Sequence, residues 1–516
     1  MVARVRTALS ALVVLFALLL PADFDELTPS AFLRVPVEAP AAVVLLLVLP
    51  ARRRRPVAAV GGALLGLLLV VKFLDIGFDA VLYRPFDLVL DWPLLTPAVD
   101  YVDVTAGRAA AIGAVALAAV AAVAVLVLVT RSVLRLGGAV GAHRGAAVRA
   151  VAVAAVCAMS LPVASHGTSE LVGDHARAVR AGLHDRTAFA AESAVDAFGD
   201  VPGDRLLTSL RGKDVLVVFV ESYGRGAVED AGVAAALADG TRRLAGRGYA
   251  SRSAFLTSPT AGGGSWLAQA TLLSGLWVDN QQRYRTLVAS DRLTLGGAFR
   301  RAGWRSVGVM PGITQTWPEG LFFDYDRIYA AADLGYRGPR FGYATMPDQY
   351  VLAELERAER GPRDEPVMAV VTLLSSHAPW TPLPEALPWD GVGDGSVFGG
   401  MRAGAVPPET IFGRDPVEVR ADYGRSVEYS VDTIVSYLET HGDDDLVVVL
   451  LGDHQPAQVV TGEGAGRDVP VTVVSQDRSV LARTDPWGWT DGLAPAAGAP
   501  VRPMSAFRDQ FLGTFG

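Results

Sequence analysis

A serine set behind a glycine run is the first feature of this sequence able to do chemistry. Gly262, Gly263 and Gly264 lead directly into Ser265, and residues 266–273 suit a helix. Glycines let a backbone approach a ligand closely, and the free N–H groups at a helix N-terminus favour an anion. A hydroxyl there is placed to attack a phosphate or sulfate ester, although the same pattern alone also describes an ordinary N-cap. Three further groups follow apolar runs. Residues 215–220 end in Glu221-Ser222-Tyr223, residues 367–374 in Ser375-Ser376-His377, and residues 446–451 in Gly452-Asp453-His454. In open parallel sheets ligands bind beyond the carboxyl ends of the strands, so Glu221, His377, Asp453 and His454 are expected to converge. Two carboxylates and an imidazole form a donor set for a divalent metal, zinc or manganese, with a hydroxyl oxygen as fourth ligand. Taken singly, Glu221 could open a helix and Gly-Asp-His could be a turn. Their joint placement at strand ends carries the reading.

The elements that must position these residues follow from hydropathy. The 516-residue chain is 51% hydrophobic with a mean hydropathy of +0.32, too apolar for a wholly soluble enzyme and too charged for a membrane bundle alone. Five apolar segments, roughly 8–21, 36–50, 57–73, 109–129 and 146–163, precede residue 170. The fourth is long enough to span a bilayer; the others lie near the lower limit of about 17–20 residues. Arg4 and Arg6, then Arg52 to Arg55, then Arg131, Arg135, Arg144 and Arg149 mark one side of the membrane. The alternate loops are acidic, with Asp23, Asp25 and Glu26 in one and Asp79, Asp87, Asp91, Asp100 and Asp103 in the other. The positive-inside rule makes the N-terminus cytoplasmic and places everything after about residue 165 outside. The expected organisation is a transmembrane domain of about five helices over 1–165, a connector over 166–205 and an extracytoplasmic domain over 206–516. His166, His175 and His184 read as solvated histidines of the connector.

From about residue 206, short apolar runs at 215–220, 305–310, 367–374, 446–451 and 469–474 alternate with amphipathic stretches. This predicts an α/β fold with a largely parallel central sheet. Residues 418–440 read as one helix with Tyr423, Val427, Val431, Ile434 and Leu438 on its core stripe. Residues 382–415, rich in Gly and Pro, read as a lid or a poorly ordered insertion. The single cysteine, Cys157, excludes an internal disulfide and reads as an apolar residue facing lipid or another helix. A net charge of −8 excludes nucleic acid as a partner on bulk electrostatics.

With these motifs in place, the chain resembles the sulfatase-like branch of the alkaline-phosphatase superfamily. Within that branch it is similar to membrane-anchored lipoteichoic acid synthases and lipid A phosphoethanolamine transferases, which also carry about five spans before an extracytoplasmic catalytic domain. VFVESYG with Glu221 resembles the first strand and its acidic metal ligand. SWLAQATLLSG resembles the nucleophile helix and puts Ser265 on the nucleophile position, and TLLSSHAPW with His377 resembles the segment of a substrate-contacting histidine. LLGDHQP with Asp453 and His454 resembles the metal-binding Asp-His pair. The transferases usually carry threonine where Ser265 stands, and Thr260 is a rival nucleophile in the same loop. Sulfatases require Pro or Ala two places after the nucleophile and Arg four places after it for conversion to formylglycine; here Leu267 and Gln269 occupy those positions, which argues against a true sulfatase.

The resemblance implies a metal-dependent phosphotransferase. A divalent ion on Glu221, Ser265, Asp453 and His454 would serve a phospho-serine intermediate, with His377 stabilising charge or protonating a leaving group. The implied substrate is a membrane lipid or envelope glycopolymer. A phosphodiesterase or sulfuric ester hydrolase of the same fold, or a non-catalytic envelope scaffold, stays open. Residues 312–352, in which Trp317, Asp324, Asp326 and Tyr350 lie, are implied to supply substrate contacts; Trp317 reads equally as a headgroup cover or a packing residue, and Asp348 as a helix cap.

Overall fold

The computed structural model describes residues 2–23, 26–160, 164–165, 167–401, 414–462 and 464–516. The chain forms two compact units. One comprises Met1–Val99 and Arg108–His184; the other comprises Asp100–Gly107 and Asp185–Gly516.

The first unit is helical: α1 (Val2–Leu19), α2 (Glu38–Val48), α3 (Ala51–Leu82), the start of α4 (Leu95–Ala106), α5 (Arg108–Ala142), α6 (Arg144–Ser160) and most of α7 (Gly167–Ser193). The five apolar segments fall on α1, α2, α3, α5 and α6. Of these, α1, α3 and α5 are long and apolar enough to cross a bilayer, which makes this a membrane protein, whereas α2 has 11 residues. Helices α3 and α5 approach closely through Gly62 and Gly66, one turn apart. A Cβ at Gly62 would stand 2.8 Å from the Thr130 Cα, and one at Gly66 3.0 Å from the Leu126 Cα. Small residues at this spacing drive helix pairing where lipid removes the hydrophobic incentive. β1 (Val35–Pro36) and β2 (Ala164–Ser165) form a short parallel pair.

Two buried charges lie within α3. Lys72 Nζ donates to the Ala17 and Leu18 carbonyls and to Thr168 Oγ1, at 3.1–3.2 Å. Asp75 accepts from the Phe86 N–H and faces His175 Nε2 at 3.0 Å. This corrects the expectation for His175: it is a buried partner of a carboxylate on α3, because the first turns of α7 bring Thr168 to Lys72 and His175 to Asp75. His184 is exposed and bonds only the Arg180 carbonyl within its own helix. His166 and the Cys157 side chain lie outside the described residues.

The second unit is built on a nine-stranded sheet. β3 (Asp214–Val220) lies between β7 (Val367–Leu373) and β8 (Leu446–Gly452), all parallel. β5 (Arg305–Met310) and β6 (Arg327–Ala330) extend the parallel set beyond β7. Past β8 the sheet turns antiparallel through β9 (Asp468–Ser475) and β4 (Ala250–Thr257), with β10 (Thr490–Asp491) and β11 (Val501–Pro503) on the far edge of β4. β3, β7 and β8 are buried along their whole length, which is why they read as unbroken apolar runs. β4 left no such run because Ser251, Arg252 and Ser253 interrupt it.

One face of the sheet is covered by α8 (Ser265–Ser274), α9 (Leu295–Arg301) and the C-terminal α12 (Phe507–Phe515); the other by α10 (Asp348–Glu359) and α11 (Pro416–His441). The predicted stripe on α11, Tyr423 to Leu438, is buried. Of the Gly/Pro-rich stretch, residues 402–413 lie outside the described residues. Its earlier part packs firmly: Phe398 is fully buried near Tyr336 and Phe341, and Trp389 Nε1 donates to Ser436 Oγ at 2.9 Å.

Candidate active site

The carboxyl ends of β3 and β8 and the start of α8 meet at one point. Glu221 follows β3, Asp453 and His454 follow β8, and Ser265 is the first residue of α8. The Ser265 hydroxyl donates to Glu221 Oε2 at 3.0 Å and lies 3.2 Å from His454 Nε2. Glu221 Oε1 is 3.2 Å and Asp453 Oδ2 3.7 Å from the same imidazole nitrogen. One donor atom from each of Glu221, Asp453 and His454 lies within 4.8 Å of the others, so the three could hold a metal ion.

Backbone geometry holds this cluster. Ser222 takes a left-handed φ of +55°, which turns its N–H onto Asp453 Oδ1 at 2.8 Å. Its hydroxyl donates to Glu221 Oε1 at 3.0 Å, and its carbonyl accepts the Tyr423 hydroxyl at 2.7 Å. Asp453 Oδ1 also accepts the His454 N–H, leaving Oδ2 buried with no hydrogen-bond partner. A buried carboxylate oxygen without a donor is costly unless a cation faces it. His454 Nδ1 lies 2.8 Å from the Gln455 carbonyl, which can only accept; Nδ1 therefore carries a hydrogen and Nε2 faces the cluster. The same carbonyl accepts the Gly262 N–H at 2.7 Å, and Ser258 Oγ donates to the Asp453 carbonyl at 2.6 Å, tying the glycine loop to the β8 end. Gly264 has a φ of +81° and sits against Thr260, so a side chain there would be strained.

Two carboxyls and an imidazole share one buried point, and each shifts the others' ionisation. Burial opposes ionisation of Glu221, but His454 outweighs it and holds the carboxyl well below the usual range. Burial, then the Glu221 charge, pushes Asp453 up to about 7. Burial lowers His454, yet Asp453 and Glu221 raise it to about 9. The triad thus retains protons that a divalent ion would displace. An orphaned carboxylate oxygen, a second carboxylate and an imidazole nitrogen fit such an ion.

His377 stands on the loop after β7. Its Nδ1 donates to the Ala378 carbonyl at 2.6 Å, which leaves Nε2 for a ligand, and its charge contributes to lowering Glu221. Its ring stacks on Tyr343, centroids 4.1 Å apart. Asp348, expected to cap a helix, instead accepts the N–H groups of Leu374 and Ser375 and the Ser430 hydroxyl, and so braces the His377 loop. Thr260 Oγ1 donates to the Gly263 carbonyl at 2.5 Å. Trp317 packs on Phe323 and bonds the Tyr284 hydroxyl, while the Tyr350 hydroxyl donates to the Leu334 carbonyl. Asp326 accepts from the Ser306 N–H and Arg300. Ser222 and Tyr343 were not singled out from sequence; neither sits in a periodic pattern that could have marked it.

Residues 213–467 match the sulfatase family model. That stretch contains Glu221, Ser265, His377, Asp453 and His454. Among solved structures it is similar to the lipooligosaccharide phosphoethanolamine transferase EptA of Neisseria meningitidis (14% identity, 98% of this chain and 95% of that one, TM-score 0.48). It is also similar to the lipoteichoic acid synthase LtaP of Listeria monocytogenes (13%, 61% and 74%, TM-score 0.38). A third is the Streptococcus pyogenes phosphoglycerol transferase GacH (12%, 56% and 74%, TM-score 0.36). No curated protein sequence matches the chain.

Proposed function

We propose that this protein is a membrane-anchored, metal-dependent phosphotransferase that moves a phosphoryl-linked headgroup from a lipid donor to an alcohol, through a phospho-serine on Ser265. One observation carries the reading: the Ser265 oxygen sits 3.0 Å from Glu221 and 3.2 Å from His454, beside the unpartnered Asp453 oxygen, in the stretch that matches the sulfatase family model. Glu221, Asp453, His454 and the Ser265 oxygen would hold the ion. When bound, a divalent cation would lower the pKa of the serine hydroxyl and polarise the phosphoryl group. Zinc and manganese both suit this donor set.

Ser265 Oγ attacks the phosphorus of the donor diester, forming an O–P bond as the bond to the donor alkoxide breaks. The hydroxyl proton passes to solvent, since Glu221 stays ionised. The departing alkoxide takes a proton from His377 Nε2. In the second step the acceptor hydroxyl gives its proton to His377 and attacks the same phosphorus. Ser265 is then released and takes a proton from solvent. The absence of the formylglycine signal around Ser265 supports phosphate over sulfate chemistry. Water as acceptor makes the same site a phosphodiesterase.

The test is detergent-solubilised protein, loaded with manganese or zinc and given phosphatidylglycerol labelled in its headgroup. Label covalently bound to an added alcohol supports the transferase; label only in water-soluble phosphate ester assigns the hydrolase. Metal analysis addresses the remaining class. Wild type is expected to retain about one divalent ion per chain and Asp453→Asn to lose it. A wild type that binds none points to a non-catalytic scaffold.

A further inference from the structure

Tyr343 belongs to no motif, yet the fold places it with care. It lies in the turn Phe341–Gly342–Tyr343–Ala344, whose ends exchange backbone hydrogen bonds of 3.3 and 3.1 Å. Phe341 and Ala344 are buried, and Thr345 Oγ1 anchors the turn to the Pro311 carbonyl at 2.7 Å. Gly342 has a left-handed φ of +61°, and a Cβ there would meet Pro379 Cδ at 3.3 Å. The turn therefore presses directly on the loop that carries His377. The result is a near-parallel stack of the Tyr343 and His377 rings, centroids 4.1 Å apart and planes 18° apart. Tyr101, which belongs to the same compact unit, stacks on Tyr343 in turn at 5.8 Å. With Nδ1 of His377 already bound to the Ala378 carbonyl, one hydrogen bond and one ring face fix the direction of Nε2.

We infer that Tyr343 is a positioning residue for His377, its ring face setting the plane in which the imidazole meets the phosphoryl group. The inference rests on the proposed role of His377 at that group. What matters is the planar ring, since stacking needs a face and not a hydroxyl.

The test uses the full chain in detergent, loaded with manganese, turning over bis(4-nitrophenyl) phosphate. Tyr343→Phe should keep kcat within about twofold. Tyr343→Leu should lower kcat on the order of 10²-fold with KM little changed, the cost of misplacing a reacting group by about 1 Å. In a His377→Ala background the same Tyr343→Leu change should cost nothing further, because the group it positions is gone. Metal content and melting temperature of each variant separate misfolding from misplacement, and Tyr343→Met replaces Tyr343→Leu if the latter fails to load metal. Wild-type kcat in Tyr343→Leu, equal losses in both backgrounds, or a loss in Tyr343→Phe matching that in Tyr343→Leu would overturn the inference. No turnover by wild type, or full turnover by His377→Ala, would instead overturn the reading of the site on which it rests.

Discussion

At the residue scale the chemistry turns on which hydroxyl faces the buried triad. Ser265 Oγ does, at 3.0 Å from Glu221, whereas Thr260 Oγ1 is turned to the Gly263 carbonyl and braces the glycine run. Ser265→Ala should therefore abolish turnover, by about 10⁴-fold or more, while the melting temperature stays near wild type. Thr260→Ala should keep turnover and lose about 1 kcal/mol of stability, the worth of one hydrogen bond. Turnover and thermal melts of the two variants check both halves, and the opposite outcome would make Thr260 the nucleophile. Ser265, Glu221, Asp453 and His454 were legible because each stands at the end of a run whose apolarity or glycine content announces a strand end or helix start. Ser222 and Tyr343 were not, because their roles come from a positive φ and a ring stack. Neither leaves a trace in residue type or spacing.

At the element scale, the loop after β7 is held from outside itself. Asp348, at the first turn of α10, is fully buried and accepts from Leu374, Ser375 and Ser430. Sequence suggested a cap because a polar residue before a helical stretch usually serves its own helix. The three donors come instead from a strand end and from α11, elements far away in the chain. Asp348→Ala strands buried donors and should cost about 1–3 kcal/mol, measured by urea unfolding, with a fall in kcat as the His377 loop loosens. The C-terminal α12 is tied down in a similar way. Arg508 on that helix is fully buried and paired with both oxygens of Asp196, at 2.7 and 3.0 Å. Burial alone would raise the Asp196 carboxyl, but Arg508 and its other partners hold it below the ordinary value. A carboxyl with a depressed folded pKa stabilises the fold above its unfolded value, about 3.9, and that contribution fades as pH falls through the folded value. Asp196→Ala removes the two-oxygen partner of a buried arginine that keeps Asp509 and the Leu293 carbonyl, and should cost about 1–3 kcal/mol at neutral pH. Its penalty should shrink in unfolding measurements below about pH 4; a penalty constant with pH would show that Asp196 acts through packing and not charge.

At the scale of the whole molecule, the lengths of the helices bear on which face of the membrane each part occupies. α5 has 35 residues and is about 52 Å long at 1.5 Å per residue, well beyond the roughly 30 Å of a bilayer core. Residues Asp100–Gly107, just before it, belong to the same compact unit as residues 185–516. If both parts of that unit lie on one side, the chain between them crosses an even number of times. α5 is long and apolar enough to cross. The 17 residues of α6, about 25 Å, would then make the return. The arginines at 131, 135 and 144 lie near the turn between these two helices, where the positive-inside rule wants them cytoplasmic. Single cysteines in a Cys157→Ser background can decide this. Val89→Cys and Leu321→Cys, at positions 44% and 82% exposed, should both react with a membrane-impermeant maleimide on intact cells. Arg53→Cys, exposed in the arginine run that starts α3, should react only after permeabilisation. Labelling of the cysteines at 89 and 321 from opposite sides would remove α6 as a span. Labelling of both only from the cytoplasm would put the catalytic unit inside and end the assignment of an envelope substrate.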